Sequence, residues 1–209
     1  MTKDEVIAIQ RGGMDWLGQP LLCDGDYGPR TQWWHYITTL HPKRQQLVMA
    51  WLWFHAMGTV KDDGNNRGTW PDRFMEPSGL KPGGAWCIAF MSYCLHQCNA
   101  DWPVYHASTF NMLEWAKTNG RITTQPKPGD IHCFMYPRES KLFGKGHGGG
   151  VIAVDTSWVA VCDGNVGDTV KVGKRARDGL TFIRTVDDEA SSPAVANMNL
   201  QRLDGWKDR

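Results

Sequence analysis

The sequence predicts an α+β protein, with helices in its earlier part and a small antiparallel sheet after them. Two observations carry this. Up to about residue 118 the apolar residues recur at helical spacing, most clearly Cys87, Phe90, Met91, Cys94 and Cys98 at i, i+3, i+4, i+7 and i+11. From Pro128-Gly129-Asp130 onward the pattern changes to short β-rich runs bounded by Gly, Asp and Ser. Helices and strands segregated along the chain give α+β rather than an alternating α/β order.

Taken in order, Val6, Ile7, Ile9 and Gln10 predict one or two helical turns, and Asp24-Gly25-Asp26-Tyr27-Gly28-Pro29 is dense turn chemistry. Thr31 opens an aromatic helical stretch, Gln32 to Thr38, and Leu47 to Met57 reads as a strongly apolar helix. A loop follows, including Asp62-Asp63-Gly64, then a short helical piece around Pro71 to Glu76. Pro82-Gly83-Gly84 breaks the chain before the helix that carries Cys87, with Gly84 as its expected N-cap. Another helix covers Ser108 to Thr118, capped by Ser108 or Thr109. The expected strands are Ile131 to Tyr136, Val151 to Asp155, Trp158 to Cys162, Thr169 to Gly173 and Leu180 to Val186. Residues 189–209 show no period and read as a tail.

Bulk composition narrows the function classes. At 209 residues the chain fits one ordinary domain, or one domain plus a small module. A net charge of +1 argues against a nucleic-acid binder and against an electrostatic membrane binder. The first ten residues carry Lys3, Asp4 and Glu5, so a secretory signal is not expected. Leu47 to Met57 is far short of the roughly 20 residues that span a bilayer. The expected product is therefore a soluble chain made in the cytoplasm, with its six cysteines reduced. Eleven tryptophans read mainly as core anchors, with a few available to line a groove.

Three short segments read as one site: Trp86-Cys87 opening a helix, Gly146-His147 opening a glycine run, and Asp163-Gly164-Asn165 closing an apolar run. A thiol, an imidazole and a side-chain amide in that order are the parts of a Cys-His-Asn nucleophile system. In the first helical turn, unpaired N–H groups and the helix dipole favour thiolate over thiol, and a free N–H there serves as an oxyanion donor. Cys94 lies about 10.5 Å further along the same helix and reads as a core cysteine. A hairpin centred on Thr156 sets His147 opposite Asn165, with Asp163 on the same face two residues away. Asn165 then holds one imidazole nitrogen and leaves the other for Cys87. Asp155 is excluded as the orienting group, being roughly 26 Å along the strand at 3.3 Å per residue. His132 and His106 are rival bases; His132 reads as structural, whereas His106, preceding a helix, is a candidate for substrate contact, as is Trp86. Cys94, His96 and Cys98 offer a loose alternative as zinc ligands, but no second compact pair accompanies them, and no metal or organic cofactor is expected.

The blocks Gly84-Ala85-Trp86-Cys87-Ile88-Ala89-Phe90, Pro126-Lys127-Pro128-Gly129-Asp130-Ile131, Gly146-His147-Gly148-Gly149-Gly150-Val151 and Gly164-Asn165 resemble, over about residues 60–186, the cysteine, histidine-dependent amidohydrolase/peptidase (CHAP) domain. That resemblance implies a papain-like, NlpC-type cysteine hydrolase acting on peptidoglycan, either at the muramoyl–L-alanine bond or at a peptide bond of the stem or cross-bridge. By position it implies Cys87 as nucleophile and His147 as base, with the orienting role divided between Asn165 and Asp163. The Gly148-Gly149-Gly150 run departs from the more apolar strand usual in that family.

Val6-x-x-Ile9-Gln10 through Asp24-Gly25-Asp26-Tyr27-Gly28-Pro29-Arg30-Thr31 is similar to the small three-helix peptidoglycan-binding module. The implied division is a helical module at 1–42, a connecting helix and loop at 43–70, a catalytic domain at 71–188 and a tail at 189–209. Both pieces on one signal-less chain imply a monomeric phage or prophage endolysin that reaches the bacterial wall after release. A non-catalytic wall-binding protein and a cysteine hydrolase effector acting on another amide are the alternatives.

Overall fold

The computed structural model describes residues 1–58 and 65–188, and over these the chain is α+β. The Asp62-Asp63-Gly64 loop and the tail at 189–209 lie outside the described residues. Helix α1 spans Lys3–Gln10 and opens with a capping box, in which Thr2 Oγ1 accepts from Glu5 N and Glu5 Oε2 accepts from Thr2 N. Gln10 at its end is buried and organises the following turn: its amide donates to Asp24, the Asp26 carbonyl and Thr31, and its Oε1 accepts from Gly25 N. The aspartate- and glycine-rich turn thus wraps a single glutamine. Helices α2 (Pro29–Thr39) and α3 (Pro42–Ala56) each begin earlier than the apolar pattern predicts, because each has a proline at its first position.

Helix α4 (Thr69–Met75) runs into a 3-10 turn at Glu76–Ser78, ended by Gly79 in the left-handed region. Helix α5 is Cys87–Gln97, and α6 is Thr109–Thr118 with Ser108 as N-cap. The α5 cap is Trp86, not Gly84, and the first helical bond runs from Phe90 N to Trp86 O. Burial decides this: the Trp86 ring is locked between Phe74 and Phe90, which fixes the chain where the helix starts.

Six strands complete the described fold: β1 (Ile122–Thr123), β2 (Ile131–Met135), β3 (Gly146–Val154), β4 (Trp158–Asp163), β5 (Lys171–Ala176) and β6 (Thr181–Ile183). They form one antiparallel sheet in the order β1-β6-β2-β3-β4-β5. The predicted hairpin register holds where it matters: Gly149 faces Asp163, Gly150 faces Cys162 and Val151 faces Val161, with a bulge between Val151 and Ala153 nearer the turn. Strand β3 begins at Gly146, five residues before the predicted Val151, since the glycine run is itself paired with β2. Strand β5 starts later than expected, because Asn165, Gly167 and Asp168 all take positive φ and lengthen the turn.

One apolar cluster runs from Trp16 to Val186 and unites the N-terminal helices with the sheet. Helix α3 is more than a connection: Leu47, Val48, Trp51 and Leu52 are fully buried at its centre. Helix α2 is tied to the sheet by Trp33, whose indole N–H donates to the Ile152 carbonyl at 3.0 Å. Arg44 of α3 is buried and paired with Asp130 at 2.7 Å, so the Pro128-Gly129-Asp130 turn is anchored to the helix layer. Among the described residues no helix is long and apolar enough to cross a membrane.

Candidate active site

The geometry of the site starts from four glycines. Along β3, Gly146, Gly148 and Gly150 point to the helix side, and a Cβ on them would strike Thr109 of α6, Ile88 of α5 and the Trp51 ring of α3. The glycine run is therefore a close-packing surface that lets three helices approach one strand. On the opposite face lie His147 and Gly149, directly across from Phe134 and His132 of β2. Gly164, just past β4, gives the same clearance to Trp86 and Phe90, next to the start of α5.

Cys87 is the first residue of α5 and is nearly buried. The first turn of a helix carries N–H groups with no intrahelical acceptor, which supports an anion there. His147 and Asp163 come from neighbouring strands, with His147 Nε2 3.4 Å from Asp163 Oδ2. Nε2 faces the carboxylate as an ion-pair contact without a hydrogen bond, and the Cys87 thiol is a second neighbour of the ring. Burial lowers the His147 pKa, but the pull of Asp163 and Cys87 outweighs it and raises the value to about 9.

Asp163 is fully buried and serves more than one partner. His132 Nε2 lies 2.8 Å from its Oδ1, and Arg175 places Nη2 at 2.6 Å and Nε at 3.1 Å from its Oδ2. Burial alone would raise the Asp163 pKa, yet His132 and His147 hold it well below the usual carboxylate range. His132 shifts the other way, downward, because its burial outweighs the attraction of Asp163.

The remaining sequence-predicted residues separate from this centre. Asn165 sits outside β4 in a left-handed conformation (φ 60°) and, among the described residues, makes no hydrogen bond to His147. Trp86 was expected to contact substrate; it is 0% exposed, so its ring packs the core instead. His106 is also buried, its backbone pinned by Ser92 and its ring near Trp102 and Trp115. All six cysteines are free thiols. Cys94 is in the core, where burial raises its pKa well above normal, and among the described residues no group of three or more His, Cys, Asp or Glu side chains is arranged to hold a metal.

Two residues of the cluster escape a reading of the sequence. His132 was assigned a structural place in its strand, and only the β2–β3 register puts it beside Asp163. Arg175 falls beyond the strand expected at 169–173, so its approach to β4 was hidden by the longer turn. Comparison with protein-family models, with curated proteins and with solved structures gives no match.

Proposed function

We propose that the chain is a cysteine-dependent amidase or endopeptidase that cleaves an amide bond of bacterial peptidoglycan. The observation that carries this reading is the convergence of Cys87 at a helix N-terminus with His147 and the buried Asp163. A thiol at a helix start, a strand imidazole and a buried orienting carboxylate are the parts of a papain-like nucleophile site. The CHAP resemblance of the surrounding blocks supplies the substrate class.

In this mechanism the Cys87 thiolate attacks the amide carbonyl, and an N–H of the first turn of α5 stabilises the oxyanion. The His147 imidazolium gives its proton to the leaving amine as the C–N bond breaks, which leaves a thioester on Cys87. Neutral His147 then takes a proton from water, the hydroxide carbon–oxygen bond forms, and the thiolate departs. Asp163 keeps the ring oriented and stabilises its charged form.

The N-terminal unit supports a wall-directed role. Gln10, Trp16, Leu21, Asp24, Arg30 and Thr31 help line a cavity of about 320 Å³, a size that suits a small glycan or peptide fragment. An endolysin that meets the wall after release is the biological setting this reading favours.

The test is mass spectrometry of soluble products after incubation of purified peptidoglycan with the protein and, separately, with Cys87→Ala. Release of muropeptides that depends on Cys87 supports the enzyme. A free L-alanine amine on the product identifies an amidase, and a cut within the peptide identifies an endopeptidase. Binding to sacculi with no release from several wall types would overturn the enzyme reading in favour of a wall-binding protein.

A further inference from the structure

Asp163 has more donors than an orienting carboxylate requires. Oδ1 accepts from His132 at 2.8 Å, while Oδ2 meets both Arg175 at 2.6 Å and His147 at 3.4 Å. His132 is fully buried and its Nδ1 has no hydrogen-bond partner. A doubly protonated imidazole would need an acceptor at each nitrogen, so His132 is the neutral ring that donates from Nε2. Arg175, by contrast, always carries its charge. Each oxygen of Asp163 is therefore held, one by a neutral donor and the other by a cation.

Space and packing are arranged for the same end. Gly149 stands opposite Asp163, and any side chain there would overlap Oδ1 and come within 2.9 Å of His132 Nε2. Phe134 contacts both members of the adjoining pair, with the Arg175 guanidinium 5.3 Å and the His147 ring 5.8 Å from its centroid. Arg175 Nη2 and His147 Nε2, both against Oδ2, are at most 6.0 Å apart.

We infer that His132 and Arg175 are positioning residues: they clamp the Asp163 carboxylate, and the Arg175 charge on the oxygen that faces His147 limits how strongly Asp163 stabilises the imidazolium. The inference rests on the assignment of Cys87 and His147 as the catalytic pair. The groups facing His147 are Cys87 from α5, His132 from β2, Asp163 from β4 and Arg175 from β5. Of these only Arg175 is a fixed positive charge. Its neutralisation removes a like charge and leaves Oδ2 wholly to His147, so the imidazolium becomes harder to deprotonate. His132 carries no charge; its loss frees Oδ1 and loosens the orientation of the carboxylate.

The experiment compares wild type with Arg175→Gln, Arg175→Lys, His132→Leu and His132→Gln by two readouts. One is the pH profile of kcat/KM on purified peptidoglycan. The other is the pH profile of iodoacetamide alkylation, followed on the Cys87 peptide by mass spectrometry. Arg175→Gln is expected to move the alkaline limb of the kcat/KM profile up by about one pH unit and the acid limb of the alkylation profile down, because a more stable imidazolium favours the Cys87 thiolate, while Arg175→Lys leaves both near their wild-type positions. His132→Leu is expected to lower kcat by roughly 10- to 100-fold, as loss of a supporting shell does elsewhere, and His132→Gln to recover most of it by keeping an N–H near the Nε2 position. A folded Arg175→Gln whose profiles superimpose on wild type overturns the clamp, as does a His132→Gln as slow as His132→Leu. If His132→Leu fails to fold, the contrast between the two Arg175 variants still decides. Full lytic activity in Cys87→Ala would instead sink the catalytic reading, and the alkylation profiles would judge the clamp independently.

Discussion

His147 and Asp163 face each other across the β3–β4 pair, Nε2 to Oδ2, at 3.4 Å. Asn165, only two residues further on, has left the strand and turned into the left-handed region. Asp163 is therefore expected to carry the orienting role. Asp163→Asn, which keeps the shape of the side chain, should lower kcat by about 10⁴-fold, as seen when the acid of a triad is neutralised. Asn165→Ala should cost far less. Initial rates of muropeptide release measure both, and the reverse ranking would assign the orientation to Asn165.

The raised His147 pKa gives the site a pH signature. An imidazolium that persists to about pH 9 puts the alkaline limb of activity near that value, well above the 6.5 of an unperturbed histidine. Stability follows the same group. The folded pKa lies above the unfolded one, so the contribution is complete below about pH 6.5 and is lost as pH rises toward 9. His132 acts in the opposite sense: its pKa is lowered on folding, so its protonation in the unfolded chain costs stability as pH falls below about 6.5. Thermal unfolding from pH 5 to pH 10 should show both slopes. His147→Gln should flatten the alkaline one, and His132→Gln should reduce the acid one; unchanged slopes would contradict the assignment.

Gly149 sets the room in which the Asp163–His132 bond forms. A methyl group there would overlap Asp163 Oδ1, the oxygen that His132 Nε2 holds at 2.8 Å. Overpacking of this kind costs typically about 1–3 kcal/mol, and here it must also displace the carboxylate proposed to orient His147. Gly149→Ala is thus expected to lose activity out of proportion to its loss of stability. Gly150→Ala offers the contrast, because its Cβ would strike the Trp51 ring in the helix-side core and leave the Asp163 pocket alone. Denaturant melts beside kcat for both variants separate the two effects. Equal losses of activity at equal stability would remove the special status of Gly149.

The sequence shows the helices, five of the six described strands and the hairpin register, and with them the start of α5 at Cys87 and the neighbouring strand positions of His147 and Asp163. Each of those signals is local: a helical period, a two-residue period, a turn at Asp155-Thr156-Ser157. What it hides depends on contacts between distant elements. Trp86 beside a candidate nucleophile looks like a groove residue, and only the packing of Phe74 and Phe90 around it reveals a core anchor. The glycines at 148–150 look like a weak point in the register, but Gly148 and Gly150 make room for helices α5 and α3, and Gly149 makes room for Asp163 and His132 on the other face. Arg175 is invisible because three turn residues with positive φ, Asn165, Gly167 and Asp168, shift β5 along the chain, something no period in the sequence announces.

Arg44 is a further case of long-range chemistry, in the first turn of α3, ahead of the apolar helix expected at Leu47 to Met57. Its guanidinium is buried and donates to Asp130, to Asp188 and to the Pro128 carbonyl. Burial raises the Asp130 pKa, while Arg44 and the N–H groups of Lys127 and Thr185 pull it down. Gly129 (φ 92°) lies so close to Arg44 that a Cβ would approach its side chain at 3.0 Å. The Pro-Gly-Asp turn is thus a socket for the arginine and fixes where β2 begins. Removing one partner of a buried ion pair leaves the other charge without compensation, at a cost of about 3–5 kcal/mol. Arg44→Met should therefore destabilise the fold by that amount in chemical denaturation. Asp130→Leu combined with Arg44→Met should recover part of the loss, since the more deeply buried of the two orphaned carboxylates is gone while Asp188 remains. If Arg44→Met unfolded at the same denaturant concentration as wild type, the socket would hold no stabilising role and the turn would owe its geometry to its backbone alone.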